Sequence, residues 1–200
     1  MSKAIDVLMR EHRVIERVTA SLETFAEELG RGAPLERFRA AEFAEFFGRF
    51  ADACHHGKEE DLLFRTMIER GFPRESGPIA VMLHEHTVGR RHVGVLRGVG
   101  AGAGPASAPE REAFSENALA FAPFLRAHIV KEDRILYPMA LQVLPAPVLD
   151  RLAEQYDEFD RKAMGDGALE QLLGLAEKLT AAYPFDPAKL EVAFTGFGCH

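Results

Sequence analysis

The sequence has few cysteines, no long apolar run and no excess of positive charge, and each absence excludes a class of protein. Only Cys54 and Cys199 occur among the 200 residues, too few and too far apart for a disulfide framework or a thiolate zinc site. No stretch approaches the roughly 20 apolar residues that cross a bilayer, and the N-terminus is polar and periodic rather than a signal sequence. A net charge of −7 would be repelled by nucleic-acid phosphates. We therefore expect a cytoplasmic protein without a membrane or nucleic-acid partner, in which any metal is held by histidine and carboxylate.

Proline and glycine divide the chain into stretches with the period of a helix. The breaks fall at residues 30–34, 71–78, 98–109, 144–147, 165–167 and 184–187, which leaves six helical stretches. Apolar residues recur within them at three- and four-residue spacing, so that each helix presents one apolar stripe to a core. No convincing strand alternation occurs. The sequence thus predicts an all-α fold.

The chain also repeats itself weakly. Residues 8–17, "LMREHRVIER", resemble residues 82–91, "MLHEHTVGRR", and residues 55–64, "HHGKEEDLLF", resemble residues 128–137, "HIVKEDRILY". A helix with Glu-His is therefore followed twice by a helix with His-x-x-Lys-Glu. The repeat predicts a four-helix bundle of two similar helix pairs over residues 1–145. Residues 146–200 would form a C-terminal extension with two additional helices packed on the bundle.

The repeated residues have the spacing of a metal centre. Two helices each carry a histidine and a glutamate four residues apart, which places imidazole and carboxylate on one face. The other two helices each carry a histidine on their apolar stripe, and bundles build dinuclear metal centres from such inward groups. Four histidines and two bridging carboxylates would give each of two metals about four bonds, a donor set suited to iron or manganese. The predicted metal ligands are His12, His55, Glu59, His86, His128 and Glu132.

Two neighbouring residues are candidates for additional ligands. His56 adjoins His55, which the repeat aligns with His128, and it lies roughly 100° further round an ideal helix. A flanking role and a role as an extra ligand are both open for His56. Glu16 lies four residues after His12 and shares its face, so a third carboxylate ligand is an equally open alternative.

The chain resembles the hemerythrin-like family, the HHE cation-binding domains, and in particular its bacterial members. The resemblance covers residues 4–142 through "REHRVIE", "CHHGKEEDLLF", "GPIAVMLHEHTVGR" and "HIVKEDRILYPMA". It implies an up-down four-helix bundle that holds two irons bridged by carboxylates and an oxo or hydroxo group. It also implies that the centre binds dioxygen, nitric oxide or peroxide, or senses iron.

The chain departs from the oxygen-carrying hemerythrins at two positions. Those proteins have a second histidine four residues after the third-helix ligand, where this chain has Arg90. They also have a fourth-helix carboxylate five residues after its histidine, which is the position of Asp133. The choice between Glu132 and Asp133 therefore stays open, and fewer nitrogen ligands make reversible oxygen carriage less secure.

Taken with the resemblance, the sequence predicts a non-heme di-iron protein that binds or reacts with a small oxidant, namely dioxygen, nitric oxide or peroxide. Manganese and zinc are the alternative metals. We expect an unidentified redox partner and a monomer or homodimer. The sequence leaves open whether the protein is a carrier, a sensor or an enzyme such as an oxidase or peroxidase. Two further alternatives are iron sensing or storage without oxidant chemistry, and a metal-free helical interaction domain whose amphipathic tail helices pack on the bundle or on a second copy.

Overall fold

The computed structural model describes residues 2–190, and these residues form six long helices and one short 3₁₀ turn without any strand. The prediction of an all-α fold with six helices is therefore confirmed. Cys199 and the last ten residues of the predicted extension lie outside this range. The elements are α1 (Lys3–Gly30), α2 (residues 37–69), α3 (Gly77–Gly100), α4 (residues 108–143), α5 (Ala146–Met164), α6 (Ala168–Ala182) and the 3₁₀ turn Pro187–Leu190.

Helices α2 and α4 change their winding along their length. In α2, the α-helical segments Arg37–Glu45 and Arg65–Glu69 enclose the π-helical segments Phe46–His56 and Glu59–Phe64. In α4, the π-helical turn Glu132–Leu136 separates Ala108–Lys131 from Tyr137–Val143. A π-helix bonds five residues back instead of four, so it rotates by less than the 100° per residue of an α-helix. Consecutive side chains in these segments therefore point in more similar directions.

The residue pairs in contact show that neighbouring helices of the bundle run antiparallel. On α1, the Phe25 ring contacts Phe43 and Phe114, whereas the earlier residue His12 contacts the later residues His55 and Asp133. Along the bundle axis, residue numbers therefore decrease in α1 in the direction in which they increase in α2 and α4, so α1 runs antiparallel to both. Helix α3 shows the same relation to its neighbours, since its later residues pack against the earlier parts of α2 and α4. The up-down topology of the four-helix bundle that the resemblance implies stays a prediction, with which these antiparallel contacts agree.

Two apolar clusters flank one polar layer along the bundle. The first cluster is rich in phenylalanine and includes Phe25, Phe47 and Phe121. The second includes Leu8, Leu63 and Leu136. On each of the four helices the predicted ligands lie between residues of the first cluster and residues of the second. Burying polar groups in such a layer costs free energy unless each group finds a partner.

Helices α5 and α6 pack on the outside of α1 and α2. Tyr156 and Leu152 of α5 join the second apolar cluster, and Leu172 and Leu179 of α6 join the first. The division into two domains stays a prediction, but the described part of the extension contributes side chains to the same core. None of the helices between residues 2 and 190 combines the length and apolar character that a membrane crossing requires.

Candidate metal centre

The polar layer brings all six predicted ligands together, with His56 as a seventh group. Each of these side chains is buried, and His56 is the most exposed of them at 7%. Two ends can be distinguished, because Nε2 atoms and carboxylate oxygens converge in two separate groups. The two-His end contains His12 and His55, the three-His end contains His56, His86 and His128, and Glu59 and Glu132 lie between the two ends.

At the two-His end, four ligand atoms lie close to one another. His12 Nε2 is 2.9 Å from His55 Nε2 and 3.2 Å from Glu132 Oε2. His55 Nε2 is 3.7 Å from Glu59 Oε2. Ligand atoms bonded at about 2.1 Å to one metal, at right angles, lie about 3 Å apart. The spacing therefore fits the shell of a single metal ion.

At the three-His end, both carboxylates are again within reach. Glu132 Oε2 lies 3.2 Å from His128 Nε2, and its Oε1 lies 3.6 Å from His86 Nε2. Glu59 Oε2 lies 3.5 Å from the same nitrogen of His86. The His56 ring stacks on the His86 ring with centroids 3.8 Å apart. Each carboxylate thus contacts histidines of both ends, as a bridging ligand would.

Every histidine of the layer has a carboxylate at its other ring nitrogen. A carboxylate only accepts hydrogen bonds, so each Nδ1 donates to its partner and each Nε2 carries its lone pair toward the layer. The acceptors are Asp133 for His12 at 2.7 Å, Glu11 for His55 at 2.9 Å, Glu60 for His86 at 2.7 Å, Glu85 for His128 at 2.9 Å and, at a longer 3.4 Å, Asp52 for His56.

This tautomer leaves the centre short of positive charge. The lone pairs of His12 Nε2 and His55 Nε2 would face each other at 2.9 Å, an arrangement that needs a proton or a cation between them. Atoms of four side chains in the layer are buried without a hydrogen bond, although they lie near one another: Oε2 of Glu59, Nε2 of His86 and of His128, and both carboxylate oxygens of Glu132. Orphaned buried acceptors are costly. The donor set therefore fits metal cations.

The protonation of the layer shows the same shortage. Burial opposes a charge on His12, yet its hydrogen bond to Asp133 and the negative charges of Glu132 and Asp133 raise its pKa. Burial also opposes a charge on Glu132, but the charge of His128 and the close approach of the His12 and His86 rings hold the pKa of Glu132 well below its ordinary value. Burial and the charge of Glu132 raise the pKa of Glu59 well above its ordinary value. The raised pKa values of His12 and Glu59 both favour a bound proton, which is the response expected of a site short of positive charge.

Cations support the outer carboxylates. Lys58 bonds Glu11 and, at 3.0 Å, Asp160 of α5. Its counterpart in the repeat, Lys131, bonds Glu85. Elsewhere Arg13 pairs with Asp133, and Arg90 bonds Asp52 at 2.8 Å and Glu60 at 2.7 Å. The carboxylates that orient the histidines are therefore themselves held in place.

Replacing Lys58 by methionine is expected to lower the free energy of unfolding by about 3–5 kcal/mol, because it leaves two largely buried carboxylates without the cation between them. Lys58 is fully buried, and the side chains of its partners Glu11 and Asp160 are 12% and 14% exposed. Lys131→Met is the matched control: that lysine is 20% exposed and pairs with one carboxylate, so a loss of about 1 kcal/mol is expected. Chemical denaturation of the metal-free proteins measures both. Equal losses would show that burial of Lys58 is irrelevant.

Of the three candidates for additional ligands, the structure places His56 in the polar layer and keeps Asp133 and Glu16 outside the converging ligand atoms. His56 faces the layer, so both adjacent histidines take part in it. Asp133 receives a hydrogen bond from His12 Nδ1 and does not join either group of converging atoms, whereas Glu132 does. Glu16 pairs with Arg13 at 3.3 Å and also stays outside both groups. Their roles as ligands or supports remain proposals.

Sequence reasoning missed Glu11, Glu85 and Tyr137. A signal existed for the two glutamates, since each stands directly before a candidate histidine in both halves of the repeat. The Tyr137 hydroxyl donates to Glu59 Oε1 at 2.8 Å and lies 3.3 Å from His12 Nε2. Burial and the charges of Glu59 and Glu132 raise the pKa of Tyr137 well above its ordinary value.

A small apolar cavity of about 20 Å³ adjoins the three-His end. Phe47, Val93, Phe121 and Leu125 line it, and Arg90 is among the polar residues around it. Such a volume has room for one water-sized molecule. It therefore admits a diatomic gas or a comparably small species and excludes larger compounds.

Fold and site together define a helix-bundle protein with a histidine and carboxylate cluster suited to metal cations. The chain belongs to the hemerythrin family: the family described as the hemerythrin HHE cation binding domain matches residues 3–140. The chain is similar to three proteins described as uncharacterized, two from Mycobacterium tuberculosis strains and one from Mycobacterium bovis. Identity is 20% over 166 residues, which cover 83% of this chain and 64% of each relative. No solved structure matches the chain at a significant level.

Proposed function

We propose that the chain is a non-heme di-iron protein whose centre binds or reacts with a small oxidant, such as dioxygen, nitric oxide or peroxide. One observation carries the proposal: five imidazoles and two shared carboxylates converge in a buried layer, and the carboxylate partners of Nδ1 direct the Nε2 lone pairs of His12, His55, His86 and His128 inward. Outer carboxylates of this kind orient metal-binding histidines and raise their basicity.

The donor set favours two irons over zinc. A structural zinc site is closed by four ligands, whereas seven side chains are shared here between two ends. Imidazole and carboxylate without thiolate suit iron in proteins. When bound, iron supplies the one-electron redox change that lets such a centre bind or reduce a small oxidant.

The chain's own residues would hold, orient and shield the centre. His12 and His55 would bind one iron, His56, His86 and His128 the other, and Glu59 and Glu132 would join them. His56 brings the number of nitrogen donors to five. The centre is therefore not poor in nitrogen, although Arg90 stands where the oxygen-carrying hemerythrins have a histidine ligand. The cavity at the three-His end supports a small ligand, because its volume of about 20 Å³ between Phe, Val and Leu side chains leaves no room for a large one.

Metal analysis of protein from iron-replete cells tests the proposal. We expect about two irons per chain and, after exposure to air, the absorption of an oxo-bridged iron pair. Well under one iron per chain without that absorption would contradict it. Rapid mixing of the reduced protein with dioxygen or peroxide distinguishes binding of the oxidant from reaction with it. A persistent adduct indicates binding, whereas repeated turnover indicates an oxidase or peroxidase.

A further inference from the structure

Tyr137 is one of two places where the internal repeat breaks at the metal centre. The repeat aligns Tyr137 with Phe64, and each ring stacks on a candidate ligand: Phe64 on His86 with centroids 5.9 Å apart, and Tyr137 on His12 with centroids 5.5 Å apart. The two rings thus have equivalent packing. Only Tyr137 adds a hydroxyl group, and its oxygen lies inside the polar layer.

The second break is at His56, which the repeat aligns with Ile129. His56 contributes a third imidazole to its end of the centre, whereas Ile129 packs in the phenylalanine-rich cluster. The two-His end therefore lacks the nitrogen that its counterpart has. The hydroxyl of Tyr137 occurs at the end where the imidazole is missing, since its neighbours are His12 and Glu59.

The position of the phenol oxygen is that of a ligand atom. It lies 2.8 Å from Glu59 Oε1 and 3.3 Å from His12 Nε2, the separations expected of two atoms bound to one metal at about 2.1 Å. The residue is 1% exposed, so solvent does not compete for the oxygen. The cavity for a small molecule is at the opposite, three-His end.

We propose that Tyr137 is a metal ligand at the two-His end, where its phenolate oxygen takes the place of the missing third imidazole. The assignment rests on the proposed di-iron centre. As the cation binds, the O–H bond breaks, and the proton passes along the existing hydrogen bond to Glu59 Oε1 and from there to bulk solvent, because metal binding releases the protons of its ligands. The two ends then differ in their donor atoms, since one has a phenolate oxygen where the other has a third imidazole nitrogen. A hard anionic oxygen favours ferric iron at the two-His end, and the three-His end faces the cavity.

Spectroscopy of the iron-loaded ferric protein tests this ligand directly. Phenolate bound to ferric iron gives a charge-transfer band in the visible range, and resonance Raman excitation in that band enhances tyrosine ring modes. We expect both signals in the wild-type protein and their loss in Tyr137→Phe, which removes only the hydroxyl. We also expect the variant to bind iron at least about tenfold more weakly at one of its two sites.

Tyr156→Phe is the matched control, because it removes another buried hydroxyl, one that makes no hydrogen bond and belongs to α5. It should keep the band. Wild-type protein labelled with ring-deuterated tyrosine should shift the Raman modes, which gives a readout even if the variant folds poorly. Two irons without tyrosine modes, or modes that persist in Tyr137→Phe, would overturn the assignment. Wild-type protein that binds no iron would instead overturn the proposed function, and this ligand with it.

Discussion

Glu132→Gln is expected to abolish the dinuclear centre. The Glu132 carboxylate lies 3.2 Å from His12 Nε2 at one end and 3.2 Å from His128 Nε2 at the other, so its replacement would remove a ligand from both of the proposed irons at once. Removal of groups that only support ligands already costs about 10- to 100-fold in metal affinity. We therefore expect a loss of more than about 100-fold, measured as iron per chain after desalting and by competition with a chelator.

Two comparisons make the result specific. Glu154→Gln makes the same change at an exposed position of α5 and should leave two irons per chain. Asp133→Asn affects a carboxylate that bonds His12 Nδ1 and should weaken binding by only about 10- to 100-fold. If Glu132→Gln kept both irons at unchanged affinity while Asp133→Asn lost them, Asp133 would be the fourth-helix ligand.

The fold could be predicted because its signals are local. Proline and glycine mark the ends of the helices, and the apolar period marks the inner stripe of each. Side-chain capping was less predictable. Ser2 and Ser76 directly precede α1 and α3, where serine is a common N-cap, but their side chains make no capping hydrogen bond. The capping box lies at Ser107, which accepts a bond from the Glu110 N–H while Glu110 accepts one from Ser107.

The place of His56 could not be settled from sequence because the argument assumed an ideal α-helix. On that assumption, His56 points roughly 100° away from His55. The segment Phe46–His56 is π-helical, so neighbouring side chains diverge less, and both rings reach the layer. A π-helical segment depends on tertiary packing, and no residue in "CHHGKEED" predicts one from the sequence.

The internal repeat predicts some of the outer carboxylates and lysines around the centre, but not all of them. It aligns Glu11 with Glu85 and Lys58 with Lys131, and the structure gives these pairs equivalent contacts. Asp160 has no counterpart, because it comes from α5 and meets Lys58 across 102 positions of sequence. Such a contact follows from how the extension packs, which periodicity within single helices does not specify.

Removal of iron is expected to lower the midpoint of thermal unfolding by roughly 8–16 °C. A ligand that binds only the folded state at a thousand times its dissociation constant stabilises by about 4 kcal/mol. For a chain of this size, each kcal/mol corresponds to about 2–4 °C. The reason lies in the layer itself: without cations, Glu59 and Glu132 meet in a buried site and several ligand atoms make no hydrogen bond. Thermal unfolding of the iron-loaded and chelator-treated proteins measures the difference.

The double variant His55→Ala, Glu59→Ala distinguishes stabilisation by iron from a general effect of the chelator. It removes one ligand from the two-His end and one carboxylate that contacts both ends, so iron should raise its unfolding midpoint by clearly less than it raises that of the wild-type protein. A wild-type midpoint that also ignores iron would contradict the metal centre and favour the metal-free interaction domain. In that case the orphaned atoms of Glu132 and His86 would have to be satisfied by water or by protons, because a bundle core does not leave several acceptors unpaired at no cost.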